Sequence, residues 1–364
     1  MIKDILKFFK RERLYLLLVL LLGAFYAFMT LGPKPQTEHP RAQSSLSGLE
    51  QFRAAERKFS DETLSEPAFG NFARKEPLLA AGFGAYTALL GLALTVGFVI
   101  NFLAVFRPSF REKILPRLPP PSETRVWPFS ILFKTVVLFV VWSILISFLM
   151  GVVSAIFPVE GADNAYMVLH TFILNVLCVM FMVRFLKQQG SSWRDLGFNV
   201  PQGKPFREMM IGWTGYLGVL PIFALVLAVL LFLANLVRYE PPPHPLVNVF
   251  IEEEKRLPFL VAFSAFLGAV IGPVFEEVFF RGFCYPILKG KVGKVWAMVI
   301  SAAFFASIHH TGFVFWPIFV LGLALAYLYE SRRSLLAPIT LHVTHNTLFI
   351  SYFFLVKQMI SSSA

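Results

Sequence analysis

The sequence is poor in what a secreted scaffold or a soluble enzyme depends on. It has only two cysteines, Cys178 and Cys284, both in apolar surroundings and too few for a disulfide framework or a cysteine zinc site. Charged residues are 15% of its 364 residues against 56% hydrophobic, and the apolar residues fall in runs longer than a soluble core could hide. The H-E-x-x-H signature of soluble zinc proteases is absent. No internal repeat of the kind common in transporters is evident.

One excess needs explaining. A net charge of +11 would point to nucleic acid in a soluble domain. Here Lys and Arg gather between the apolar runs, the bias that orients membrane helices. The expected partner is therefore the lipid bilayer, with no nucleic acid.

These features predict an all-α polytopic membrane bundle of about nine transmembrane helices. The N-terminal MIKDILKFFKRER is basic and leads into an apolar run from about 14 to 31, long for a signal peptide and without a small-x-small cleavage site, so it reads as an uncleaved anchor. Further spans are expected at about 78–106, 127–157, 165–186, 209–237, 258–287, 295–309, 313–329 and 335–356, most exceeding the ~20 residues that cross a bilayer. Residues 33–76 hold seven Lys/Arg and seven Asp/Glu and form an external polar loop, with a short amphipathic helix in QFRAAERKF or no structure as the two readings. Linkers 107–126 and 184–208 carry five Lys/Arg each, 289–294 carries three, and Arg332-Arg333 form a tight turn. By contrast 158–164 has none, and 238–257 is acidic through Glu252, Glu253 and Glu254. The positive-inside rule then puts the N-terminus in the cytoplasm and the C-terminus outside.

Three polar clusters interrupt the last apolar segments: Glu276, Glu277 and Arg281; His309-His310; and His342, His345 and Asn346. Ionisable side chains at membrane depth are costly and mark candidate functional sites. Arg281 lies four residues past Glu277, on the same helical face, so the two can pair. Glu276 points about 100° away, which leaves Glu277 with Arg281 as support and Glu276 as the candidate general base. His342 and Asn346, also four apart, can aim two donors at one oxyanion. Phe305 precedes His309 on its face and is expected to pack its ring. Counted from the charged helix ends, Glu276, His309 and His342 lie at roughly 20, 22 and 14 Å of depth, so one pocket can gather them. Each cluster also has a structural reading as an ion pair, a packed histidine or a polar helix contact. A proton-coupled transporter using the Glu/His clusters as a relay is the rival from another class. Cys284 sits near the site, but nothing in the sequence places an activating base beside it.

The pattern E-E-x-x-x-R (Glu276, Glu277, Arg281), F-x-x-x-H (Phe305, His309) and H-x-x-x-N (His342, Asn346), the last preceded by Ser334 to Ile339, resembles the motifs of the CPBP (Abi) intramembrane proteases, which include the type II CaaX prenyl endopeptidases. The resemblance covers about residues 258–357. WRDLGF (193–198) is similar to a weaker segment that opens the domain. The resemblance implies an intramembrane (metallo)endopeptidase domain in 191–364, following an N-terminal transmembrane region, 1–190, of unassigned function. It implies that Glu276 activates water, that His309 is its partner or a metal ligand, and that His342 with Asn346 forms the oxyanion site. A divalent metal such as zinc on Glu276, His309 and His342 is one option; a glutamate acting alone is the other. The expected substrate is a membrane-associated protein or peptide, and the expected location is a prokaryotic cytoplasmic membrane. An inactive membrane-binding relative is a further alternative.

Overall fold

The computed structural model describes residues 9–31, 52, 66–118, 127–159, 161–240, 244–309 and 312–363. Most of the 33–76 loop, Phe59 included, and His310 lie outside the described residues. Within them the chain is helical, with no strand. In order the helices are α1 (Arg13–Leu31), α2 (Glu66–Lys75), α3 (Pro77–Phe106), α4 (Pro108–Ile114), α5 (Phe129–Ile156), α6 (Asp163–Gln188), α7 (Pro205–Leu236), α8 (Pro245–Glu252), α9 (Pro258–Ser307), α10 (Phe315–Arg332) and α11 (Leu336–Ser363).

Five of these, α3, α4, α7, α8 and α9, have proline as their first residue. Its missing N–H is no loss there, and its fixed φ suits a helix start. Six helices among the described residues are long and apolar enough to cross a membrane: α3, α5, α6, α7, α9 and α11. They are apolar around most of their circumference rather than along one stripe. In α3 only Ala80 and Gly97 are buried, while Leu89, Phe98 and Phe102 are exposed, as suits a helix whose outer solvent is lipid.

The longest, α9, is a hairpin. Gly293 has φ +78° and ψ 172°, a conformation open mainly to glycine, and the chain doubles back there. Phe280 meets Phe304 and Phe305 across it at 5.3 and 5.2 Å, and Ser301 Oγ donates to the Phe280 carbonyl. The arms 258–292 and 294–307 thus fall where two separate spans are expected. With α1 and α10 added, the helical arms occupy all nine expected positions.

The linkers sort to two ends as their charges suggest. At one end the turn after α10 gathers Pro116, whose carbonyl accepts from Arg332, Leu118, whose amide donates to Ser331, Asn199, whose carbonyl accepts from Ser334 Oγ at 2.6 Å, and Glu208. At the other end lie the start of α6, the α8–α9 linker and Lys357 of α11, which pairs with Glu254 at 2.9 Å. There α2, a helix the sequence does not announce, sets Phe69 and Phe72 with Phe52 against Met359 and Ile360. Two of the basic residues at the first end also make ion pairs. Arg332 is 1% exposed and bonded to Glu208, which is 0% exposed. Lys289, with 31% of its side chain exposed, pairs with Glu330 at 2.7 Å.

Early and late helices share one core: Trp127, Leu132, Met182 and Leu186 pack with Phe283, Ile287, Tyr329 and Leu335. A second close contact joins α3 to α7. Pro221 inside α7 cannot donate to the Leu217 carbonyl, and Gly97 sits against that carbonyl so tightly that a Cβ would lie 2.1 Å from it. Asn101 Nδ2 donates to the neighbouring Gly218 carbonyl at 2.8 Å.

Candidate functional site

Glu276 and Glu277 end a short α-helical stretch, Gly272–Glu277, set between two π-helical segments, Leu267–Ile271 and Val278–Cys284. Such wider turns are rare and concentrate at functional sites. They frame the two carboxylates. Glu277 is 0% exposed, whereas the Glu276 side chain keeps 28% of its surface open, which separates a sealed carboxylate from a reachable one.

Glu277 is the hub. Its Oε1 accepts from Arg281 Nη1 at 2.8 Å and contacts His342 Nδ1 at 2.8 Å. Beside an arginine the carboxylate acts as acceptor, so Nδ1 is the donor and His342 Nε2 faces outward. That atom points at Glu276 Oε2 across 3.7 Å, too far for a hydrogen bond and close enough for both to touch one small molecule. Arg281, also 0% exposed, donates through Nη2 to the Gly322 carbonyl at 3.2 Å. Its guanidinium lies 4.5 Å from the Phe305 ring centre, a contact that favours a desolvated cation. Glu277 Oε2 and Arg281 Nε have no hydrogen-bond partner.

His309 joins through Phe305. Its ring stands edge to face on Phe305 at 4.8 Å, and Phe305 meets the His342 ring at 5.6 Å, so the packing role expected of Phe305 is present and extends to both histidines. His309 Nδ1 meets the carbonyl of Phe305 at 2.7 Å, which makes Nδ1 the donor and leaves Nε2 as the acceptor nitrogen. Asn346 lies one turn beyond His342, but its Nδ2 donates to the Gly268 carbonyl at 2.8 Å. One of its two amide hydrogens is therefore engaged with a π-helical turn of α9. His345 stands apart, its ring among Tyr216, Phe223 and Phe349. Cys284 is buried in the core with Phe283 and Trp127 and is not aimed at the carboxylates.

A catalytic zinc site needs three donors about 2 Å from one point. Glu276 Oε2 and His342 Nε2 make a pair, but among the described residues no three His, Cys, Asp or Glu side chains converge to hold a metal. The three-ligand option of Glu276, His309 and His342 does not fit as these side chains stand. His342 is held by Glu277 and His309 by the Phe305 carbonyl, and both rings lie against Phe305.

Two supporting features escape sequence reasoning. At Gly322 a Cβ would lie 3.1 Å from Ala302 and 3.3 Å from Phe305, tighter than most real contacts, and this close approach accompanies the reach of its carbonyl to Arg281. The WRDLGF segment is the other. Leu196, 1% exposed, lies against Gly282, where a Cβ would meet the Leu196 carbonyl at 2.7 Å. Tyr329 Oη donates to that same carbonyl at 3.3 Å, and the Leu335 amide donates to Gly197 at 2.9 Å. The segment thus braces the helix that carries Arg281 and the turn before α11. A short tryptophan-containing motif so far from the clusters is a signal only through family resemblance.

No curated protein and no solved structure matches the chain. A family model described as type II CAAX prenyl endopeptidase Rce1-like matches residues 258–348, the stretch from the start of α9 past Asn346. Those residues of this integral membrane protein are similar to the Rce1-like family.

Proposed function

We propose that the protein is an intramembrane endopeptidase that hydrolyses peptide bonds of membrane-associated proteins, in a prokaryotic cytoplasmic membrane. The observation that carries this reading is the partly open Glu276 carboxylate set 3.7 Å from the Nε2 of a histidine whose other nitrogen is held by the buried Glu277–Arg281 pair. A base with one carboxylate available, beside an imidazole fixed in one orientation, suits water-mediated attack on a carbonyl.

In the proposed sequence Glu276 takes a proton from water, and the hydroxide adds to the scissile carbonyl carbon. The carbonyl oxygen becomes an oxyanion, stabilised by a proton on His342 Nε2. For this His342 enters the step protonated on both nitrogens: Nδ1–H stays with Glu277, and Nε2–H donates to the oxyanion. The second amide hydrogen of Asn346, the one not given to Gly268, is the other donor for that oxyanion. When the C–N bond breaks, Glu276 returns its proton to the leaving amine, and a carboxylic acid and an amine are released. Arg281 and Glu277 keep His342 aligned throughout. His309 positions the site through Phe305, and no step runs through a metal.

The test is proteolysis by the purified full-length protein on a panel of membrane-anchored peptides, prenylated and not, with Glu276→Gln alongside and with and without chelator. Expected are cleavage by the wild type, none above background by the variant, and no effect of chelator. A variant that cleaves as well as wild type overturns the reading. Chelator sensitivity restores the metal option for Glu276 and the histidines.

A further inference from the structure

We infer that Asn248, Glu252 and Glu253 form a binding site for a hard divalent cation, Ca2+ or Mg2+, at the end of the molecule away from the WRDLGF brace. Asn248 and Glu252 are four residues apart on α8 and share a face; Glu253 follows as the residue capping that helix. Asn164, in the first turn of α6, donates through the same Nδ2 to Glu252 Oε2 at 3.0 Å and Glu253 Oε1 at 2.9 Å. Two carboxylates hydrogen-bonded to one nitrogen lie no more than about 6 Å apart at these bond lengths. Glu253 is 1% exposed.

What marks a ligand is the other side of these groups. Glu252 Oε1, Glu253 Oε2 and Asn248 Oδ1 are buried and have no hydrogen-bond partner. All three are acceptors, and buried polar atoms are nearly always satisfied. The cations nearby pair with other oxygens. Arg256 stands 4.0 Å from Glu253 Oε1 with 44% of its side chain exposed, and Lys357 is held by Glu254 and the Phe250 carbonyl. Asp163, beside Asn164 in the first turn of α6, adds a further negative charge.

A buried and a half-buried carboxylate sharing one neutral amide repel each other, and a positive charge bound between them relieves that repulsion. The donor set is oxygen only, two carboxylates and an amide carbonyl. That suits Ca2+ or Mg2+ completed by water, and not zinc or copper, which favour nitrogen and sulfur. A bound ion would fasten the first turn of α6 to the linker that launches α9. This inference does not rest on the protease reading.

The experiment is equilibrium binding of 45Ca2+, with Mg2+ as competitor, and thermal unfolding of EDTA-stripped full-length protein in detergent. Expected are saturable binding of one ion per chain and a melting temperature that rises with CaCl2 or MgCl2. In Glu252→Gln/Glu253→Gln the affinity should fall roughly tenfold or more, with no ion-dependent rise in melting temperature. Asn248→Ala, which leaves both carboxylates in place, serves should the double variant not fold, and it too should bind more weakly. Glu276→Gln should bind the ion like wild type, which separates this result from any failure of proteolysis. The inference is overturned by absence of saturable binding of either ion to the wild type, or by undiminished binding to Glu252→Gln/Glu253→Gln or to Asn248→Ala.

Discussion

Among the described residues the fold contains two fully buried arginine–glutamate pairs, and they are built differently. At the helix end, Arg332 gives Nε and Nη2 to the two oxygens of Glu208 and Nη1 to the Pro116 carbonyl. Every polar atom of that pair has a partner. At membrane depth, Arg281 and Glu277 share one short bond, and Glu277 Oε2 and Arg281 Nε have none. The first pair spends all its valences on the fold. The second turns one oxygen to His342 and leaves its charges beside a second, partly open carboxylate. A saturated pair is a clamp; an unsaturated one, next to titratable neighbours, can orient chemistry.

The strongest way to sharpen this contrast is Glu276→Gln. Removing the general base should lower proteolysis by about 10²–10⁴-fold, while the melting temperature stays near that of wild type, read by cleavage and thermal unfolding on one preparation. Next comes Arg332→Ala, which leaves Glu208 buried and unpaired and should cost about 3–5 kcal/mol of stability, with cleavage per folded molecule largely kept. The two pairs should then part company when replaced as units. Glu208→Met/Arg332→Leu should recover most of that stability and stay active. Glu277→Met/Arg281→Leu should fold yet lose activity, since His342 loses its orienting partner. If both double variants behave alike, the contrast fails.

A smaller effect is expected of Asn346→Ala. The lost bond to Gly268 should cost about 1 kcal/mol of stability. If its second hydrogen stabilises the oxyanion, the rate of cleavage should fall by about 10²–10³-fold at nearly constant KM; a change in stability alone assigns Asn346 to the α9–α11 contact. The smallest effect belongs to His345→Phe. Its ring lies among Tyr216, Phe223 and Phe349, so the cleavage rate should change by no more than about threefold, because one aromatic ring replaces another of similar size.

How much of this was legible before any coordinates differs from feature to feature. Runs of apolar residues announced the long helices within a few residues. In lipid a backbone has little choice but to hydrogen-bond to itself, so local sequence decides. The i, i+4 spacing announced Glu277 with Arg281, because four residues on a helix is a contact. The same spacing put His342 and Asn346 on one face but said nothing about what that face meets. Asn346 turns one hydrogen to Gly268 because a π-helical turn in another helix presents that carbonyl, and nothing in H-x-x-x-N encodes the turn.

The sequence by itself determined that the chain is a membrane bundle, where its helices run, and which charges stand at depth, since each follows from hydropathy and residue spacing within one segment. Only the tertiary structure decided which of those charges do what. It set His342 between Glu277 and Glu276, drew Arg332 inward to Glu208, and left three buried acceptors of the α8 turn without a hydrogen-bond partner. The first two are distances between residues far apart in the chain, and burial makes such distances count, because a charge removed from water must find its partner wherever the packing of helices places one.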